Sequence, residues 1–162
     1  MKGKDEQMNF ATKSPELQAY FEQYYENLRE RIAWFRENPA LLEEATKDRP
    51  HVLKRFEETA AMSREELMQE IEADYYLFVG CCVWAEQRPL GSQAYFDEYC
   101  GQMRIVISVF RKNPMLLEHR ESHVLKRFKE VEAMSREELM QEIKADYFLF
   151  HGTEPIGGAP RY

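Results

Sequence analysis

The stretch HVLKRFEETAAMSREELMQEIEADYYLFVG, residues 51–80, returns seventy-two positions later as HVLKRFKEVEAMSREELMQEIKADYFLFHG, residues 123–152, with 24 of the 30 positions identical. The repetition reaches further upstream. AYFEQYYENLRERIAWFRENPALLEE begins at Ala19 and AYFDEYCGQMRIVISVFRKNPMLLEH at Ala94, with 13 identities in 26 positions. Copy 1 carries three extra residues within 45–50, and EQRPLGS, residues 86–92, joins the copies and reads as a turn.

Each copy reads as helices. Leu17, Phe21, Tyr24, Leu28, Ile32 and Phe35 recur every three or four residues and give one apolar stripe. Ser14 before Pro15 is an N-cap with proline in the first turn. Asn38-Pro39 closes that helix and is placed to cap a short one over 40–44, and Asn113-Pro114 is placed to do the same in copy 2. The retained block holds two helices. The first runs over 51–61. The second opens on the capping boxes Ser63…Glu66 and Ser135…Glu138. Its inner stripe in copy 1 is Leu67, Ile71, Asp74 or Tyr75, and Phe78, continuing through Cys81, Cys82, Val83 and Trp84 with Gly80 inside the helix.

The fold expected is therefore all-α: an internally duplicated helical bundle of two units, each of three to four helices, with pseudo-two-fold symmetry. A unit of about 70 residues is small for a core of its own, so the copies are expected to merge into one domain. That domain spans 14–152, with repeats at 14–85 and 92–152, a flexible segment at 1–13 and a loose tail at 153–162.

Composition narrows the function. The net charge of −7 and the acidic neighbours of most Lys and Arg argue against nucleic-acid binding. No apolar run approaches the ~20 residues of a membrane span, and MKGKDEQMNFATK lacks the apolar core of a signal peptide. Three cysteines, Cys81, Cys82 and Cys100, form neither a disulfide framework nor a zinc spacing. They read as reduced, buried thiols in a cytoplasmic protein, bacterial or, if viral, in the host cytosol, with a vicinal redox pair as the alternative. No HExxH, GxSxG, P-loop or dinucleotide fingerprint occurs, and no cofactor is expected.

Packing fixes an apolar pattern but tolerates change at the surface. Yet polar residues recur too. Lys54, Arg55, Arg64, Glu65 and Gln69 are matched by Lys126, Arg127, Arg136, Glu137 and Gln141. These ten are read as a partner-binding surface displayed twice, so the expected function is non-enzymatic binding of another protein, as adaptor, inhibitor or regulatory subunit. Recent copying plus solvated helix faces is the competing explanation. The copies also differ in charge: the block carries −4 in copy 1 and −1 in copy 2. Copy 2 further replaces LRERIAWF by MRIVISVF, which opens at Met103, closes at Phe110 and is apolar on more than one side. It is expected to lie centrally against 81–84, with a homodimer contact as the alternative.

Asp74 and Asp146 fall on the apolar stripe, where a carboxylate needs a partner such as Arg55 or Arg127, a histidine or a tyrosine hydroxyl. His51 and His123 open matching helices, where the helix dipole favours an uncharged imidazole. The alternative function is a metal- or cofactor-binding bundle, or an enzyme, using His51, Asp74, His123 and Asp146. The absence of any Glu-x-x-His pair weighs against a ferritin-like site.

Overall fold

The computed structural model describes residues 14–155. Among them it is all-helical, with eight α-helices, one 3₁₀ turn and no strand. α1 is Pro15–Glu37, α2 Pro39–Thr46, α3 Pro50–Ala61, α4 Arg64–Phe78 and α5 Cys81–Ala85. α6 is Gln93–Lys112, followed by the 3₁₀ turn Pro114–Leu117, α7 Ser122–Glu132 and α8 Arg136–Phe150. No described helix is long and apolar enough to cross a membrane.

Local chemistry sets the boundaries. Leu17 N donates to Ser14 Oγ at 3.0 Å and opens α1. Both capping boxes close reciprocally: Glu66 N donates to Ser63 Oγ and Ser63 N to Glu66 Oε1, and Ser135 with Glu138 repeats the pair. The Asn-Pro corners act differently from expectation. Asn38 Nδ2 donates backwards to Trp34 O at 2.8 Å, and Asn113 Nδ2 to Val109 O at 2.9 Å. Each asparagine therefore satisfies a carbonyl at the end of the helix before it, and neither caps the segment after it. That segment is an eight-residue helix in copy 1 and only a 3₁₀ turn in copy 2. α4 ends at Phe78 and α5 begins at Cys81, so Gly80 lies at a break between two helices.

The packing crosses the copies. α3 packs principally on α8, and α7 on α4, while α1 lies against α4 and α6 against α5 and α8. Two apolar clusters result. One joins Phe21 and Ile32 of α1, Val52 of α3 and Leu67 of α4 to Leu149 and Phe150 from the far end of α8. The other joins Phe96 and Ile107 of α6, Val124 of α7 and Leu139 of α8 to Leu77 and Phe78 from the far end of α4. At fifteen residues, α4 and α8 are each about 22 Å long and span both clusters. Each fully buried large apolar side chain in such a core contributes about 1.5–3 kcal/mol.

The repeat of α1 is shifted by one position from its expectation. Tyr25 is buried in the core, and Tyr24 instead faces a central cavity described below. The segment 103–110 is split. Met103 and Ile107 are buried, while Ile105 is 56% and Val109 45% exposed. α5 packs on α6 only through the side that carries Cys81 and Ala85, and Val83 and Trp84, expected on the inner stripe, are 58% and 56% exposed because a five-residue helix buries one face. At the end of the chain, Thr153 is buried, and Asn27 Nδ2 donates to its carbonyl at 2.8 Å. The expected segments at 1–13 and 156–162 lie outside the described residues.

The joint between copies turns at Gly91, whose φ of +77° is left-handed and whose missing Cβ would stand 2.8 Å from Tyr147 Oη. Gly101, inside α6, has open space around the same position. Gly91→Ala is expected to lower unfolding free energy by about 1–2 kcal/mol through backbone strain and this contact. Gly101→Ala is expected to raise it by about 0.5–1 kcal/mol through helix propensity. Urea denaturation of both variants measures the pair.

Candidate functional site

A cavity of about 300 Å³ lies between the two clusters. Its charged lining comes mainly from the retained blocks, with Arg55 of α3, Glu70 and Asp74 of α4, Arg127 of α7, and Glu142 and Asp146 of α8, and Glu86 and Glu154 add two acids from outside them. Arg55 donates from Nε to Asp146 Oδ1 at 2.7 Å and from Nη1 and Nη2 to the two oxygens of Glu70. Arg127 donates from Nε to Asp74 Oδ1 at 2.8 Å and from Nη2 to Glu142. Each guanidinium thus binds the Glu of its own copy and the Asp of the other. This exchange follows from the packing, which sets α3 on α8 and α7 on α4.

Tyrosines complete the wall: Tyr20 and Tyr24 of α1, Tyr75 of α4, Tyr95 and Tyr99 of α6, and Tyr147 of α8. They fall into matching sequence positions, 20 with 95, 24 with 99 and 75 with 147. Burial is the first cause raising Tyr20, Tyr24, Tyr95 and Tyr99 above the ordinary phenol range, with nearby acidic groups adding to it. These four stay protonated at any physiological pH and offer ring faces and hydroxyls. Cys82, also on the wall, is pushed up to about 12 by burial and then by Glu154 and Glu86, so it stays an unreactive thiol.

The charges do not balance. Within the ion-pair network four carboxylates face two guanidiniums, and Glu86 and Glu154 bring two more acids to the wall. Burial works against the charge of Arg55, but Asp146 and Glu70 outweigh it and hold the guanidinium charged. Arg127 is held charged in the same way by Asp74 and Glu142. Burial also opposes ionisation of Glu70, and Arg55 overcomes it, so Glu70 lies below its ordinary value. Asp74 and Asp146 carry the surplus. Burial lifts Asp74 to about 7 and Asp146 to about 6 despite the arginine beside each, and the neighbouring glutamates push the same way. Their side chains are 36% and 38% accessible, an area they present to the cavity while lying deep in the protein.

The expected contact surface is accordingly revised. Arg55 and Arg127 do not face outward. Their side chains are only 11% and 9% accessible and are committed to internal ion pairs. The other eight are not drawn into this network. Lys54, Arg64, Glu65, Lys126, Arg136, Glu137 and Gln141 are exposed, and Gln69 is half-buried. Arg64 lies 5.0 Å over the Tyr25 ring, and Arg136 reaches Asp97 at 3.6 Å. The alternative set of His51, Asp74, His123 and Asp146 does not assemble. The two aspartates line the cavity, and neither histidine does. His51 lies near Lys144 and Arg49, where burial first and then these charges lower its pKa. His123 lies beside Glu72.

The stripe position of Asp74 and Asp146 marked them as needing partners, and of the arginines, histidines and tyrosines considered it is Arg127 and Arg55 that pair with them. Four of the six tyrosines carried a sequence signal as well, the Tyr-x-x-x-Tyr pair repeated at 20–24 and 95–99. Comparison of the chain with protein-family models, with curated proteins and with solved structures gives no match.

Removing one arginine leaves two carboxylates without their counter-ion. Arg55→Met is expected to cost about 3–5 kcal/mol of stability, the range for breaking a buried pair from one side. Lys54→Met, one position away and 77% exposed, is expected to stay within about 0.5 kcal/mol. Chemical denaturation of the two variants decides whether the retained arginine is an internal or a surface group.

Proposed function

We propose that the chain is a binding protein made of two fused copies of one helical unit, related by a pseudo-two-fold axis through the cavity, and that the cavity holds a small organic cation. The duplication is supported by the sequence repeat and by the matched lining. Arg55 with Arg127, Glu70 with Glu142, Asp74 with Asp146 and three tyrosine pairs all meet around one space. The surplus of carboxylates over guanidiniums carries the choice of ligand. An amine entering between Asp74 and Asp146 supplies the missing positive charge. The tyrosine faces add cation–π attraction, worth about 0.5–2 kcal/mol for a desolvated contact. The volume is at the lower end of small-ligand sites. Cys81 and Cys82, both pushed up to about 12, are thiols suited to the reducing, cytoplasmic setting we propose.

The pH dependence has a defined sign. A cation binds the ionised aspartates, so it must displace the protons that Asp74 holds up to about 7 and Asp146 up to about 6. Calorimetric titration with a series of α,ω-diaminoalkanes is expected to give one site per chain. Affinity should rise from about pH 5 to about pH 8 and level off above. The Asp74→Asn/Asp146→Asn variant should bind at least about tenfold more weakly and lose the pH dependence, with its helical signal intact. Unchanged binding by that folded variant, or no amine binding at any pH, would remove the proposal and leave a solvated ion-pair core.

A second reading, contact with another protein, is favoured by apolar residues left open on α6. Ile105 and Val109 are one helical turn apart and share a face, with Met115 69% and Leu116 49% exposed just beyond. Trp34 and Leu41, at the positions of copy 1 that match Val109 and Leu116, are each 45% exposed. The charged residues Lys54, Glu65, Lys126 and Glu137, with the amide of Gln141, stand available for the rim of such a contact. A homodimer is the simplest form. Sedimentation at rising concentration should then show a dimer that Ile105→Lys/Val109→Lys converts to monomer. A chain that is monomeric throughout assigns the face to a different partner.

A further inference from the structure

We infer that Glu72, Glu121 and His123 form a site for a divalent transition metal, separate from the central cavity. Among the described residues they are the one group of three or more acidic, histidine or cysteine side chains whose ligand atoms all lie within 4.8 Å of one another. His123 Nε2 stands 3.2 Å from Glu72 Oε1 and 3.8 Å from Glu121 Oε1. That nitrogen is buried and makes no hydrogen bond, so the short approach to Glu72 is not a hydrogen bond in line. Donors about 2.0–2.2 Å from a common metal at 90–110° lie roughly 3.0–3.6 Å apart, which is close to this spacing. One imidazole nitrogen with two carboxylates suits zinc, cobalt, iron or manganese better than calcium or magnesium, and water completes the shell.

The other half of the molecule supplies an internal comparison. His51 matches His123, Lys144 matches Glu72, and Arg49 stands two residues before His51 as Glu121 stands before His123. Arg49 and Glu121 also hold the same N-cap place on their helices. Because α7 packs on α4 and α3 on α8, the changes converge. His123 gathers two carboxylates, whereas His51 feels the positive charges of Lys144 and Arg49. Only one of the two places has metal-binding chemistry.

The test is titration of the full chain with Co²⁺ alone, followed by visible absorption and by calorimetry. One equivalent is expected, with a d–d band. His123→Gln should weaken binding at least about tenfold. Loss of a supporting partner alone costs 10–100-fold, and a ligand costs no less. Glu121→Gln, a change at a half-buried helix end outside both apolar clusters, should weaken binding in the same direction. His51→Gln should bind as the natural chain does. Absence of a stoichiometric site overturns the assignment. So does a folded Glu121→Gln and His123→Gln pair that binds unchanged, or an equal loss in His51→Gln, which would mark general histidine binding.

Discussion

Two buried arginines each bridge the two halves of the chain, and every helix of the centre has to supply or accept one of their ion pairs. Arg55 can satisfy Asp146 only if α3 lies on α8, and Arg127 can satisfy Asp74 only if α7 lies on α4. Buried ion pairs add little net stability, because desolvation offsets most of the Coulomb gain. Their effect here is on register. A guanidinium left unpaired there would be a buried charge costing several kcal/mol, so any compact arrangement of the helices has to bring an Asp and a Glu to each arginine. Side-chain identity alone, charged or apolar, does not tell the crossed arrangement from a self-packed one, since the two copies of the block offer nearly the same side chains to either partner.

This network is held with a surplus of negative charge, which gives it a pH dependence opposite to that of a simple salt bridge. The folded-state values of Asp74 and Asp146 stand above the ordinary 3.8 of an aspartate. Their protons therefore favour the folded state fully below about 3.8, and this contribution disappears as pH rises through about 6 to 7. Glu70 runs the other way, favouring the folded state above its ordinary value and losing that contribution as pH falls. The protein is thus drawn toward mild acidity by its aspartates and away from strong acid by its glutamate. A counter-charge in the cavity would remove the first constraint.

The helices were legible because their signals are local. Ser14, Ser63 and Ser135 cap where their neighbours require it, and the apolar spacing of α1 is nearly the observed one. Tyr24 misled because a tyrosine at a stripe position can face a polar cavity as well as a core. Asp74 was legible as a buried acid in need of a partner, with an arginine, a histidine or a tyrosine hydroxyl able to serve, and the structure supplies an arginine. That the arginine comes from the other copy was not legible, since Arg55 and Arg127 sit in identical local sequence and either could serve. The same ambiguity placed both arginines on the outside. Retention of a charged residue has two physical sources, a partner in solution or a counter-ion inside, and one sequence does not separate them.

The crossed packing also changes how the two halves diverge under the proposed duplication. In a unit that packs on itself, a substitution on its second helix alters its own surroundings. Here a charge placed on α4 acts on α7, and one placed on α8 acts on α3. Glu72 therefore shapes the surroundings of His123, while Lys144 shapes those of His51. One difference per helix is enough to give matched histidines opposite electrostatic settings. Both settings lie away from the cavity, whose ion-pair network of arginines, glutamates and aspartates is the same in the two halves, although Glu86 and Glu154 on its wall have no matching acid. A crossed pair of copies can thus keep one shared centre constant and still let two peripheral sites take different roles, which a pair of independent units could not do with a common core.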